Sequence, residues 1–139
     1  MSPRGEKRIQ LDGRVVAFLE GLHFGKLATV MKDGSPHVTP IWYMYEGNKL
    51  IVNTTTDRVK YWNIRRDDRV CLLVDDGYPY VMIFGKGRIA KERDPMKDIE
   101  ALAIRYTGEE AGRKAARERY WKMDRISIEV VPQRVVADL

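Results

Sequence analysis

The chain has 139 residues, 44% hydrophobic and 32% charged, the balance of a folded protein rather than a disordered or fibrous one. No apolar run reaches the roughly 20 residues that a membrane-spanning helix needs. One cysteine, Cys71, and two histidines, His23 and His37, are too few for a structural metal, so none is expected. The length suits one domain over 1–139. The charged start, Met1 to Arg8, has no apolar segment behind it, and a cytoplasmic location is expected. Lysines and arginines (25) outnumber aspartates and glutamates (20), for a net charge of +5. That excess favours an anionic partner: a phosphate-bearing cofactor, a nucleic acid or an acidic small molecule.

Taken in chain order, the apolar spacing predicts a helix over Leu11 to Leu22, with Asp12 as its cap. A strand over Lys26 to Met31 follows, then a turn over Lys32 to Ser35 and a second strand over His37 to Tyr45. Glu46-Gly47-Asn48 turns the chain into a third strand, Lys49 to Asn53, completing a three-stranded meander. Thr56 or Asp57 is expected to cap a helix ending near Arg66. Arg69 to Val74 reads as a strand buried on both faces, with Cys71 a small core residue. Tyr80 to Lys91 is a long strand whose Gly85 and Gly87 suggest a bulge. Asp94-Pro95 opens a helix that Gly108 ends, and a charged helix runs from Glu109 to about Trp121. Arg125 to Val136 is a last strand, interrupted at Pro132. Six strands and three or four helices make a mainly β architecture with flanking helices, best met by an antiparallel barrel.

No nucleophile elbow, Walker loop or zincin motif is present. The segment that does carry chemistry is Asn53-Thr54-Thr55-Thr56-Asp57-Arg58-Val59-Lys60, followed by Arg65 and Arg66. Hydroxyls, helix-start amides and cations within one turn are the components of a phosphate site, although the same residues also serve an ordinary capped helix. Beside it lies His37-Val38-Thr39-Pro40-Ile41-Trp42, where Pro40 interrupts the ladder and frees backbone groups for a ligand.

Three ordered blocks are similar to the FMN-binding split-barrel family, which includes the pyridoxamine 5′-phosphate oxidases and the flavin/deazaflavin oxidoreductases. They are Leu27-Ala-Thr-Val-x-x-Asp-Gly-Ser-Pro-His-Val-Thr-Pro-Ile-Trp42, Asn53-Thr-Thr-x-x-Arg-x-Lys60 and Asn63-Ile-Arg-Arg-Asp-x-Arg-Val70. The resemblance implies a six-stranded antiparallel split β-barrel and a homodimer whose two cofactor sites lie between the subunits. It implies that His37, Val38, Thr39, Pro40, Ile41 and Trp42 run along the isoalloxazine ring, mainly through their backbone. Asn53, Thr54 and Thr55 match the loop nearest the ribityl chain and phosphate. Lys60 matches the phosphate-binding lysine, with Arg58 as a second cation. Trp42, Tyr78, Tyr80, Tyr106, Tyr120 and Trp121 are candidates for the subunit interface.

Met82 stands where the oxidases carry a ring-contacting glutamine, and their C-terminal substrate motif is missing. The chain therefore looks more like the flavin/deazaflavin branch, whose members use FMN or the deazaflavin coenzyme F-420. A basic stretch, Arg113, Lys114, Arg117, Arg119, Lys122 and Arg125, would suit that coenzyme's acidic tail, and equally suits a solvated helix. The resemblance implies an oxidoreductase that moves a hydride to or from a small molecule, with the ring supplying the chemistry and no protein nucleophile. His37 is the one candidate for protonating a substrate, with a structural role as the plainer reading. The alternatives are a flavin carrier without turnover and a nucleic-acid-binding barrel. Against the second, the aromatics are not interleaved with the basic residues.

Overall fold

The computed structural model describes residues 9–139, and the charged segment 1–8, on which the expectation of location rests, lies outside them. Helix α1 (Gly13–Glu20) begins at Asp12, whose carboxylate accepts the Val15 N–H at 3.0 Å, and it buries Val15 and Leu19. Strands β1 (Gly25–Val30) and β2 (Pro36–Ile41) form a hairpin. Strands β3 (Met44–Glu46) and β4 (Lys49–Thr55) form another, across a two-residue turn in which Gly47 (φ 56°) and Asn48 (φ 64°) are both left-handed. That is the turn whose twist matches paired strands. Helix α2 (Val59–Arg66), strands β5 (Arg69–Asp75) and β6 (Tyr80–Ile89), and helices α3 (Pro95–Thr107) and α4 (Glu109–Glu118) follow. A 3₁₀ turn, Tyr120–Lys122, leads into β7 (Arg125–Asp138).

All seven strands join one antiparallel sheet in the order β2-β1-β5-β6-β7-β4-β3. The seventh strand arises because the expected His37–Tyr45 strand is two strands, broken at Trp42 and Tyr43. Tyr43 is fully buried, and α3 holds its backbone: its N–H donates to Tyr106 Oη at 3.2 Å, and its carbonyl accepts from Arg105 Nε at 3.0 Å. Groups that a ladder would use are already satisfied, so the ladder stops. The Tyr43 hydroxyl donates to the Leu19 carbonyl at 2.7 Å, and burial pushes its pKa up to about 12. The expected three-stranded meander therefore does not form. Instead β2 and β3 become the two edges of the sheet, and the short link between them spans the opening of a split barrel.

The barrel interior holds Leu27, Leu50, Val52, Leu72, Val74, Ile83 and Ile128, all buried. Burial on both faces of β5 is not observed. Val70, Leu72 and Val74 are buried, whereas Cys71 and Leu73 point to the outer face and stay half-buried. Cys71 is thus not a core residue, because strand alternation puts it opposite the three that are. The bulge expected in β6 lies between Phe84 and Gly85. A Cβ on Gly85 would stand 2.0 Å from the Val131 carbonyl oxygen, so no other residue fits there. Strand β7 continues through Pro132, which sits opposite that bulge. Helix α4 stops at Glu118, short of the expected Trp121, and lies against α3 at Gly112, where a Cβ would be 2.5 Å from the Ile104 nitrogen. Ile99, Leu102, Ala103, Ala116 and Tyr120 form a second apolar cluster under these helices.

Candidate functional site

A cleft of about 780 Å³ opens where four segments converge, a size suited to a cofactor. Pro40, Ile41 and Trp42 come from the end of β2, and Asn53 to Arg58 with Lys60 from the end of β4 and the start of α2. Ile99 and Leu102 come from α3; Tyr120 and Lys122 to Arg125 come from the approach to β7. The β4–β7 ladder, ending at Thr55 opposite Arg125, brings the second and fourth segments together. Beyond it, the Thr56 N–H donates to the Asp124 carbonyl at 3.0 Å and the Thr56 hydroxyl to the Asp124 carboxylate at 2.9 Å. The apolar wall is continued by Phe24. Trp42 stacks on Tyr106 with centroids 5.2 Å apart and planes 6° apart, which fixes its indole.

The start of α2 differs from the expected cap. Arg58 occupies the cap position, and no side chain bonds the first-turn amides. Asp57 instead accepts the Thr55 hydroxyl, a bond that holds its carboxyl below the usual range. The positive end of the helix is therefore left open at the cleft.

Four cations line the cleft: Arg58, Lys60, Lys122 and Arg125. Among the described residues, none of them is in an ion pair. The two carboxylates present, Asp57 and Asp124, are each held by a threonine hydroxyl. Lys60 is half-buried, and burial, with the nearby charge of Arg58, lowers the pKa of its ammonium group. Arg125 is half-buried too, and burial likewise depresses its pKa. Its Nη1 donates to Asn53 Oδ1 at 2.9 Å and its Nη2 to Met123 Sδ at 3.2 Å. The guanidinium lies 4.6 Å from the Tyr120 ring centroid, and its buried Nε has no hydrogen-bond partner among the described residues. Partly desolvated cations that no carboxylate bonds directly are costly, and an anion entering the cleft would relieve that cost.

Of the residues singled out in the sequence, Pro40, Ile41, Trp42, Asn53, Thr54, Thr55, Arg58 and Lys60 line this cleft. His37, Val38 and Thr39 do not. His37 lies opposite Thr29 and Thr39 opposite Leu27, so both face inward, where His37 Nδ1 and Thr39 Oγ1 are buried without hydrogen-bond partners among the described residues. Val38 faces outward and is 59% exposed. Phe24, Ile99, Leu102 and Met123 enter the lining without having been anticipated. Among the described residues, no group of three His, Cys, Asp or Glu side chains is placed to hold a metal ion, and no helix is long and apolar enough to cross a membrane.

The family model described as pyridoxamine 5′-phosphate oxidase matches residues 11–137. Among solved structures, the chain is 25% identical to a conserved hypothetical protein of Mycobacterium tuberculosis, Rv2991, over 99% of this chain and 89% of that one, with a TM-score of 0.74. It is 30% identical to an F-420 reductase, over 86% of this chain and 94% of that one, with a TM-score of 0.70. The haem-storage protein of Vibrio cholerae, at 13% identity and a TM-score of 0.67 over 94% of this chain and 96% of that one, shares the fold alone. The chain belongs to the pyridoxamine 5′-phosphate oxidase-like family of FMN-binding split barrels.

Proposed function

We propose that this protein is a flavin- or deazaflavin-dependent oxidoreductase that binds FMN, or alternatively coenzyme F-420, and acts on a small molecule. The observation that carries this reading is the set of unpaired cations beside an open helix start, at one end of a cleft whose other wall is apolar. A phosphate needs the first, and the edge and face of a fused ring need the second. When bound, the cofactor ring would supply hydride transfer.

The protein's own residues supply grip and position. Lys60 and Arg58 would hold the phosphate by charge, aided by the amides that begin α2 and the Thr54 hydroxyl, while the Thr55 hydroxyl already donates to Asp57. Pro40 cannot donate to a ladder, and β2 is a sheet edge, so backbone groups at Pro40 and Ile41, the part of β2 that lines the cleft, would meet the ring edge. Trp42, held by its stack on Tyr106, would close the apolar side and limit water. The 30% identity to an F-420 reductase supports the deazaflavin alternative, and the fold family supports FMN.

A homodimer belongs to the same proposal. The outer face of the sheet carries a cross-strand row, Val38, Ala28, Cys71, Phe84 and Arg134, beside a second row, Pro40, Lys26, Leu73, Met82 and Val136. Most of these are apolar and incompletely buried, and the second row reaches the cleft at Pro40. A second copy on this face would add residues to the cleft and bury the patch. The test is the absorption spectrum of the purified protein, followed by titration with FMN and F-420 and an assay for acceptor reduction. Binding of either cofactor with turnover supports the proposal; a protein that binds one without turnover would be a carrier, and one that binds neither overturns it.

A further inference from the structure

The geometry points to Arg125 as a further anion-binding residue of the cleft, with Asn53 the positioning residue that presents it rather than a ligand contact. This rests on the proposed phosphate site and extends it to the neighbouring strand β7, where Arg125 pairs with Thr55.

The Asn53 side chain is almost fully committed within the protein. Its Nδ2 donates to the Pro95 carbonyl at 2.9 Å and reaches Ser127 Oγ at 3.4 Å, which leaves Oδ1 turned to Arg125 Nη1 at 2.9 Å. Ser127 is fixed in turn: its hydroxyl donates to Asp98 Oδ2 at 2.6 Å. Asp98 is buried and takes two bonds from Arg93, at 2.8 and 2.9 Å. A chain of oriented bonds thus runs from a buried ion pair through Ser127 and Asn53 to the guanidinium. It fixes which end of the Asn53 amide faces the cleft, because the donor end is used elsewhere.

Arg125 is presented without an ion pair among the described residues: the field of Asp57 reaches it, but that carboxylate bonds the Thr55 hydroxyl instead. An amide oxygen, a thioether and the Tyr120 ring hold the guanidinium, and none of these carries a formal charge. Its Nε is buried and has no partner among the described residues, within a cleft that also holds Lys60 and Arg58. A phosphate is the ligand chemistry that such a fork and two further cations would accept together.

The experiment measures affinities of FMN against riboflavin, and of F-420 against its phosphate-free deazaflavin, for the wild type and variants, with thermal melts as folding controls. Arg125→Ala is expected to weaken the phosphorylated member of the pair about tenfold or more and leave the phosphate-free member unchanged. Arg125→Lys, which keeps charge but not the fork, should lose less and serves if the alanine variant is unstable. Asn53→Ala should lower the same preference several-fold, and add nothing in an Arg125→Ala background. If Lys60→Ala lowers the preference but Arg125→Ala does not, Arg125 is not a ligand and this inference fails alone. Asn53→Ala weakening both members equally, or adding to Arg125→Ala, would assign Asn53 to direct contact. A wild type that shows no preference for the phosphate in either pair overturns the phosphate site and this inference together.

Discussion

Two groups of basic side chains meet at the Asn53–Ser127 contact, and they are treated in opposite ways. On one side, Arg93 bonds Asp98 and Glu46, Arg88 bonds Glu129 and Glu92, and Lys49 bonds Glu129. Asp98 and Glu129 there are only 6% and 4% exposed. On the other side, Lys60, Arg58 and Arg125 line a cleft and none is in an ion pair among the described residues. Similar residue types in adjoining parts of one fold therefore do different work. Where each charge finds a carboxylate, the cluster ties β3, β4, β6, β7 and α3 together. Where cations line a cleft whose two carboxylates, Asp57 and Asp124, bond threonine hydroxyls instead of them, the proposed counter-charge is a ligand's.

The largest effect should come from breaking the paired side. Asp98→Ala leaves Arg93 short of its principal partner and Ser127 without an acceptor, and should cost about 3–5 kcal/mol in denaturant unfolding. A loss below about 1 kcal/mol would mean that the cluster is not structural. On the other side, Lys60→Ala should leave stability unchanged or slightly raised, because it removes a partly desolvated cation with no partner. The same change should weaken FMN binding by about 1.5–3 kcal/mol in a titration. If stability fell and binding held, the two sides would have been assigned the wrong way round.

Acid should separate them as well. Burial alone would raise the Asp98 carboxyl, but the Arg93 and Ser127 hydrogen bonds outweigh it and hold its pKa below the ordinary 3.8. A carboxylate with a depressed folded-state pKa contributes fully above its unfolded value and loses that contribution as pH falls through the folded one. The wild type should therefore lose stability below about pH 4, and Asp98→Asn should show a shallower acid-side slope. Identical slopes would remove Asp98 from the account. The smallest effect is expected at Arg113 and Glu109, an exposed pair one turn apart on α4, where Arg113→Ala should cost no more than about 0.5 kcal/mol.

Much of this was legible in the sequence where the determinants are local. Gly47 and Asn48 announce the β3–β4 turn, Asp94-Pro95 starts α3, and Gly85 marks the bulge. The break between β2 and β3 was not legible, because the groups that capture the Tyr43 backbone, Arg105 and Tyr106, lie some sixty residues away. The cap of α2 was misread for a nearer reason: Asp57 has the right chemistry, but the Thr55 hydroxyl takes its carboxylate. In the cleft, the Arg58 and Lys60 spacing stood out, whereas Arg125 looked like one member of a basic run. The pairing of Thr55 with Arg125 across β4 and β7 brings the end of that run to the cleft, where Lys122 and Arg125 reach it and the α4 members do not. The outer apolar face was hidden likewise, since Cys71 and Leu73 read as core until alternation is resolved in the sheet.

The most direct test of the central claim, that an anionic ligand completes the unpaired cations, is side-by-side calorimetric titration of the wild type with FMN and riboflavin. The account predicts that FMN binds at least about tenfold tighter, with the difference shrinking as salt is raised. Equal affinities at low salt would contradict it.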